Sequence, residues 1–211
     1  MRVVVHGDDF TCLGYTGELD WLRGQFSAKF TVKFKARLGP EPNDDKSVQI
    51  LNRVLTWTDS GIEYEPDQRH AEIITDELGV SNKKSVITLG VKPTNEKDEV
   101  DDENRLDKEE AERYRSAVAM GNYLSQDRLD IRFAITELSR GQCQPRVKDW
   151  GRLKRLAKYL IGRERYIIKY EYQRSTRGVE VWTDTDYAGC KETRKSTSGG
   201  LIRFGGHLLR G

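Results

Sequence analysis

The sequence predicts a mixed α+β fold, with strands at both ends of the chain and helices between them. Short runs of alternating or continuous apolar residues lie near each terminus, and from residue 107 to about 161 the apolar residues recur at helical spacing instead. Glycine- and aspartate-containing turn signals separate the runs.

The elements follow in order. "RVVV" and "FTCL" flank Gly7-Asp8-Asp9, which reads as a hairpin with its carboxylates at the tip. Leu19, Leu22 and Phe26 then recur at helical spacing. In "AKFTVKFKARL", residues 28–38, Phe30, Val32, Phe34, Ala36 and Leu38 alternate with Lys29, Thr31, Lys33, Lys35 and Arg37, which predicts a half-buried strand with a cationic outer face. "VLTWTDSGIEYE" predicts two strands around Asp59-Ser60-Gly61, and Ala71, Ile74 and Leu78 predict a helix ending at Gly79. Asp107 with Glu110 three residues on has the form of a capping box opening a helix. Further helices are expected over "DIRFAITELSR" and after Pro145, where Trp150, Leu153, Ala157 and Leu160 share one face. "RYIIKYEY", "GVEVWTDTDYAG" and "GGLIRFGG" return to strands.

At 211 residues the chain has room for one large or two small domains, and 36% hydrophobic residues suffice for a core. No run approaches the length of a membrane span, and the N-terminus lacks a charged-then-apolar leader. Cys12, Cys143 and Cys190 lie far apart without metal-ligand spacing and suit a reducing compartment. The expectation is an intracellular, non-secreted protein without a membrane partner. Net charge is only +2, but residues 95–112 are densely acidic and read as a solvated linker running into a helix start, whereas Arg140 to Arg177 is rich in lysine and arginine. Arg152, Lys154, Arg155 and Lys158 on the third helix read first as a solvated basic face, and secondarily as phosphate contacts.

Three constellations have the composition for chemistry. Asp8 and Asp9 offer hard oxygen ligands on a tight turn, a donor type that magnesium prefers, if a third carboxylate joins them. Asp184 and Asp186 in "VWTDTDYAG" are two apart, so both face one side if the strand stays regular. An ordinary aspartate-rich turn and a strand ending in polar residues are the plainer readings of these two. "ETRKSTSGG" places Arg194 and Lys195 beside small hydroxylated residues, a polar turn fit either to connect strands or to touch a phosphate backbone.

The order "DTDYAG", "TRKSTSGG" and a short strand resembles the opening of the ribonuclease H domain in copia-type retrotransposon Pol polyproteins. "RYRSAVAMGNYLSQDRLDIRFAITELSR" and "DWGRLKRLAKYLIG" are similar to that family's preceding helices, and "HGDDF" falls where its reverse transcriptase palm carries an aromatic-x-Asp-Asp box. The resemblance implies a C-terminal part of the palm and a thumb-like region over 1–94, an acidic linker over 95–106, a helical connection segment over 107–165, and the first strands of a ribonuclease H-like mixed sheet over 166–211. It implies catalytic roles for Asp8, Asp9 and Asp184, with Asp8, Asp9, Asp184 and Asp186 as metal ligands, and Mg2+ or Mn2+ as cofactor of the complete enzyme. Implied nucleic-acid contacts are Lys29, Lys33, Lys35, Arg37, Arg152, Lys154, Arg155, Lys158, Arg194 and Lys195. The implied partners are an RNA template, a DNA primer, an RNA–DNA hybrid and the remainder of the Pol polyprotein, in a cytoplasmic particle or the nucleus. His6 departs from the family's usual tyrosine. The third palm aspartate would precede Met1 and the later ribonuclease H carboxylates would follow Gly211, so both active sites are expected to be incomplete and the chain inactive alone. A non-catalytic nucleic-acid-binding remnant is the alternative; an unrelated enzyme with a DxD metal site leaves the Asp8-Asp9 hairpin without a role.

Overall fold

A computed structural model describes residues 1–90, 104–176, 178–190 and 193–210, so most of the expected acidic linker lies outside the described residues. The chain divides into two compact units, Met1–Arg37 and Leu38–Gly211.

In the first unit, β1 (Arg2–His6) and β2 (Asp9–Leu13) pair antiparallel with Val5 opposite Phe10 and His6 opposite Asp9. The two-residue connection has Gly7 at φ +61° in its first central position, the backbone that a right-handed twisted hairpin needs and glycine adopts without strain. Helix α1 (Thr16–Lys29) follows, its start held by Glu18, which accepts from the Tyr15 amide at 3.0 Å. That hydrogen bond holds the Glu18 carboxyl below the usual carboxylate range. Helix and hairpin meet through Phe10 and Phe26, whose ring centroids are 5.2 Å apart, but no residue of α1 is buried.

The strand expected over 28–38 does not form. Its first two residues complete α1, residues 31–37 have no regular structure, and Leu38 makes only an isolated bridge to Asp45. Alternation becomes a strand face only when a neighbouring strand supplies the ladder, and here none does. Phe34 instead lies under the Arg23 guanidinium at 4.3 Å.

The second unit contains a four-stranded antiparallel sheet of β3 (Ser47–Ile50), β4 (Arg53–Thr58), β5 (Gly61–Glu65) and β6 (Ile168–Glu171), in that order. The turn between β4 and β5 is closed by the Gly61 amide donating to Thr58 Oγ1 at 3.1 Å. Gly61 sits at φ +155°, and a Cβ there would lie 2.1 Å from the Tyr170 carbonyl oxygen of β6. The turn therefore admits only glycine where the distant strand crosses it.

Helices α2 (Arg69–Glu77), α3 (Lys108–Leu124), α4 (Leu129–Arg140) and α5 (Val147–Ile161) supply the buried core. Gly79 at φ +61° lies just beyond α2, where a left-handed residue turns the chain away from a helix end. The Asp107 carboxylate accepts the Glu110 amide at 2.8 Å and caps α3, but the return bond from Glu110 that would complete the expected capping box does not form. Ile74, Tyr114, Val118, Ile131, Ile135, Leu153, Leu156 and Leu160 are fully buried, and the apolar face read for α5 is the face that packs. Residues 104–106 are fastened to the start of α5: the Asn104 carbonyl accepts from the Val147 amide at 2.9 Å, and the Leu106 amide donates to the Pro145 carbonyl at 3.0 Å.

A three-stranded antiparallel sheet of β7 (Val179–Thr185), β8 (Ser198–Phe204) and β9 (His207–Arg210) closes the chain. Gln173, just after β6, bridges to it: its Oε1 accepts the Gly206 amide at 2.6 Å and its amide nitrogen lies 2.9 Å from His207 Nδ1. Every residue of β7 is exposed.

Candidate functional site

The paired aspartates stand where the hairpin places them. Asp8 occupies the turn beside Gly7 and Asp9 opens β2, both exposed. Asp9 is not a free ligand, because Lys35 Nζ lies 3.0 Å from its Oδ1. Among the described residues no group of three or more histidine, cysteine, aspartate or glutamate side chains is gathered to hold a metal. Two carboxylates of the right donor chemistry, one already neutralised by an ammonium, do not by themselves fit a complete divalent-cation site.

Asp184 lies near the end of β7, directly across from Gly199 of β8. It is exposed, and no ion pair or hydrogen bond engages its side chain among the described residues. The regular alternation on which a face shared with Asp186 depends runs only to Thr185, where β7 ends. Asp186 turns into its own loop: its Oδ1 accepts the Thr197 amide at 2.6 Å while its own amide donates to the Thr197 carbonyl at 3.1 Å. Asp186 is therefore engaged as a loop-closing group.

The expected cationic residues separate into engaged and available ones. Lys35 pairs with Asp9 and Arg37 with Asp20 at 2.5 Å, and without a strand the set Lys29, Lys33, Lys35 and Arg37 presents no common face. Lys29 is the last residue of α1, and Lys33 lies exposed in the irregular stretch after it. On α5, Arg152 is 3.7 Å from Asp149 and largely exposed, and the Lys154 ammonium sits 5.3 Å above the Trp150 ring. Arg155 is half-buried and donates to Thr88 Oγ1 at 2.8 Å, fastening the segment before residue 90 to the helix. Lys158 is half-buried and its carbonyl accepts the Val86 amide at 3.3 Å. Arg194, at φ +56°, and Lys195 are exposed on the loop before β8.

Sequence reasoning missed an extended polar group among the described residues, a set of charges around the connection between α3 and α4. Arg128 is 2% exposed, and its guanidinium donates to both carboxylate oxygens of Asp130 at 2.9 and 2.7 Å and to the Arg163 carbonyl at 3.0 Å, while lying 4.9 Å over Tyr166. Tyr159 donates to the same Asp130 at 3.0 Å. Burial and the neighbouring Asp130 carboxylate both push the Tyr159 phenol up. Beside it Asp127 accepts from Arg53 Nε at 2.8 Å and from the Tyr64 hydroxyl at 2.6 Å, which joins the four-stranded sheet to the helices. Its signal was the string Asp127-Arg128-Leu129-Asp130 between two apolar helices, where alternating charges at a tight connection imply internal pairing. Each buried charge here has a partner, so the arrangement is architectural rather than reactive.

No protein-family model and no solved structure matches the chain. Among curated proteins it is similar to an uncharacterized mitochondrial protein of Arabidopsis thaliana, 31% identical over 96 residues, covering 46% of this chain and 40% of the relative. Two retrovirus-related Pol polyproteins of the same plant, from transposons RE2 and RE1, are 31% and 32% identical over 96 residues, again 46% of this chain. The chain spans only 6% of the length of each of these polyproteins. No helix among the described residues is long and apolar enough to cross a membrane.

Proposed function

We propose that this chain, which belongs with the copia-type retrotransposon Pol polyproteins, is a piece of an RNA-directed DNA polymerase and ribonuclease H that binds nucleic acid and performs neither reaction alone. The hairpin and the segments up to residue 94 then derive from the C-terminal palm and thumb-like region and 107–165 from the connection segment; of 166–211, the sheet β7–β9 is the start of the ribonuclease H-like part, while β6 belongs to the sheet of β3–β5. The observation that carries this reading is the exposed, unpaired carboxylate of Asp184 near the end of β7, on a chain whose relatives include two Pol polyproteins. A carboxylate held on a strand and left without a structural partner suits a ligand to a divalent cation that supports phosphodiester hydrolysis. Asp8 and Asp9 take the corresponding part for nucleotidyl transfer, with the further ligands supplied by other parts of the polyprotein.

The test is complementation. The chain alone, given magnesium, nucleotides and a primed RNA template, extends no primer. With the remainder of a copia-type ribonuclease H appended, it cleaves the RNA strand of an RNA–DNA hybrid, and Asp184→Asn abolishes cleavage. Full activity in that variant overturns the assignment, as does primer extension by the unaided chain that Asp8→Asn removes. The second reading, a non-catalytic nucleic-acid-binding remnant, draws on the Lys35 ion pair that occupies Asp9; it is favoured if the completed protein binds the hybrid and never cleaves it.

A further inference from the structure

The hydroxyl-rich string before β8 is given no role by the reading above, yet nearly all of it is engaged. Asp186 clasps Thr197 through both its backbone and its carboxylate, with the Thr197 amide 2.6 Å from Oδ1. Ser196 Oγ accepts the Ala188 amide at 3.1 Å, and the Thr185 and Ser198 hydroxyls lie 3.0 Å apart across the first pair of the ladder. From outside, Arg140 at the end of α4 donates to Thr197 Oγ1 at 2.7 Å. Gly189 completes the arrangement, because a Cβ there would lie 2.2 Å from Asp186 Oδ2 and 2.6 Å from its Cγ.

We infer that Asp186 is a positioning residue for Asp184, a clasp that fixes the β7–β8 register through Thr197. The inference rests on the proposed role of Asp184 and goes beyond it. The ladder runs Thr185 to Ser198 and Asp184 to Gly199, so the clasp sits immediately beyond the pairs that place Asp184. Gly199 has no side chain and open space where a Cβ would be, which leaves the Asp184 carboxylate uncrowded from across the strand. A slip of one residue would send the β8 side chains to opposite faces and put Ser198 or Gly200 opposite Asp184, and weak glycine-rich strands such as this one do not resist slippage by packing. The clasp supplies the missing specification. It needs an oxygen acceptor at 186 and empty space at 189, and it does not need a negative charge.

Amide hydrogen exchange of the full chain, followed by NMR without added metal, tests this separately from any activity. Asp186→Asn retains an acceptor and keeps Thr197 amide protection within about twofold of the parent, whereas Asp186→Ala loses about tenfold, the scale of one intramolecular hydrogen bond. Gly189→Ala displaces the carboxylate and matches Asp186→Ala at Thr197. Protection of the core amides Val118 and Leu153 stays at the parent level in all three variants, which reports that the chain remains folded. The inference is overturned if Asp186→Asn is as damaging as Asp186→Ala, if Gly189→Ala leaves Thr197 protected, or if the core amides lose protection together with Thr197. A failure of the Asp184 assignment would instead be read in RNA cleavage, which this experiment does not use.

Discussion

The Tyr64 hydroxyl donates to Asp127 at 2.6 Å, and through this bond the central strand β5 of the larger sheet is tied to the connection between α3 and α4. Asp127 also receives Arg53 Nε from the adjacent β4, so one half-buried carboxylate satisfies a phenol and a guanidinium from two strands. Burial and the acceptor carboxylate both push the Tyr64 phenol far above its ordinary value. Asp127→Ala strands both partners and is expected to cost about 2–3 kcal/mol, while Tyr64→Phe removes one bond and costs about 1 kcal/mol. Urea unfolding of the two variants, with unchanged denaturant slope, checks the order.

Close packing between α3 and α4 gives a second expectation. A Cβ on Gly121 would lie 2.3 Å from Ile135 Cδ1, and Ile135 is fully buried. Gly121→Ala is therefore destabilising by about 1–3 kcal/mol despite the better helix propensity of alanine. Ile135→Val deletes the clashing methyl, so the double variant is more stable than the sum of the two singles requires. A double-mutant cycle by thermal or urea unfolding measures that coupling.

Local chemistry was legible in the sequence where a single short stretch determines the outcome. Asp107 caps α3, Gly79 follows α2, Gly7 turns the first hairpin, and Asp59-Ser60-Gly61 turns the second. What depends on distant partners was not legible. Residues 28–38 alternate well but find no strand to pair with, whereas β6 pairs with β5 across about a hundred residues for which no local pattern speaks. β3 and β9 are four-residue edge strands, too short to stand out. The same division runs through the candidate site. The hairpin carrying Asp8 and Asp9 follows from glycine between apolar runs, but the partners that occupy Lys35, Arg37 and Arg155 are brought in by the fold. The clasp of Asp186 on Thr197 likewise depends on a partner eleven residues away and has no local signal.

Two carboxylates give the second unit an acid limit. Asp67 is nearly buried, and the Arg69 guanidinium, at 2.7 Å, holds its carboxyl below the usual range; Arg165 does the same for Glu65, also at 2.7 Å. A carboxyl lowered in the folded state binds its proton more readily when unfolded. Its stabilising contribution is therefore complete above the ordinary carboxylate value of about 4 and is lost as pH falls through the folded value. Asp67→Asn and Glu65→Gln should each flatten the acid side of a stability-against-pH curve and leave its shape near neutrality unchanged. Urea midpoints measured from pH 7 down to pH 3 decide it, and an acid limb as steep as the parent's in both variants would remove these groups as its source.

Nucleic-acid binding, finally, should follow the division between engaged and available cations. A cation that neutralises a phosphate displaces condensed counterions, so each such contact steepens the fall of affinity with salt by about 0.9 in the logarithmic slope on a duplex. Arg194 and Lys195 are exposed on a loop with no carboxylate partner among the described residues, and Arg194→Ala with Lys195→Ala is expected to weaken binding to an RNA–DNA hybrid and lower the slope by about 2. Lys35 already faces Asp9 at 3.0 Å and Arg37 faces Asp20, so removing either changes the slope by well under one contact. Arg155→Ala separates the two effects most clearly. Its guanidinium holds Thr88, so the variant should unfold at lower urea while its salt slope stays that of the parent. Titrations at several salt concentrations, across hybrids of unrelated sequence, give all four slopes. If Arg155→Ala lowers the slope by a full contact while the Arg194 and Lys195 pair does not, the basic face of α5 and not the loop before β8 carries the phosphate contacts.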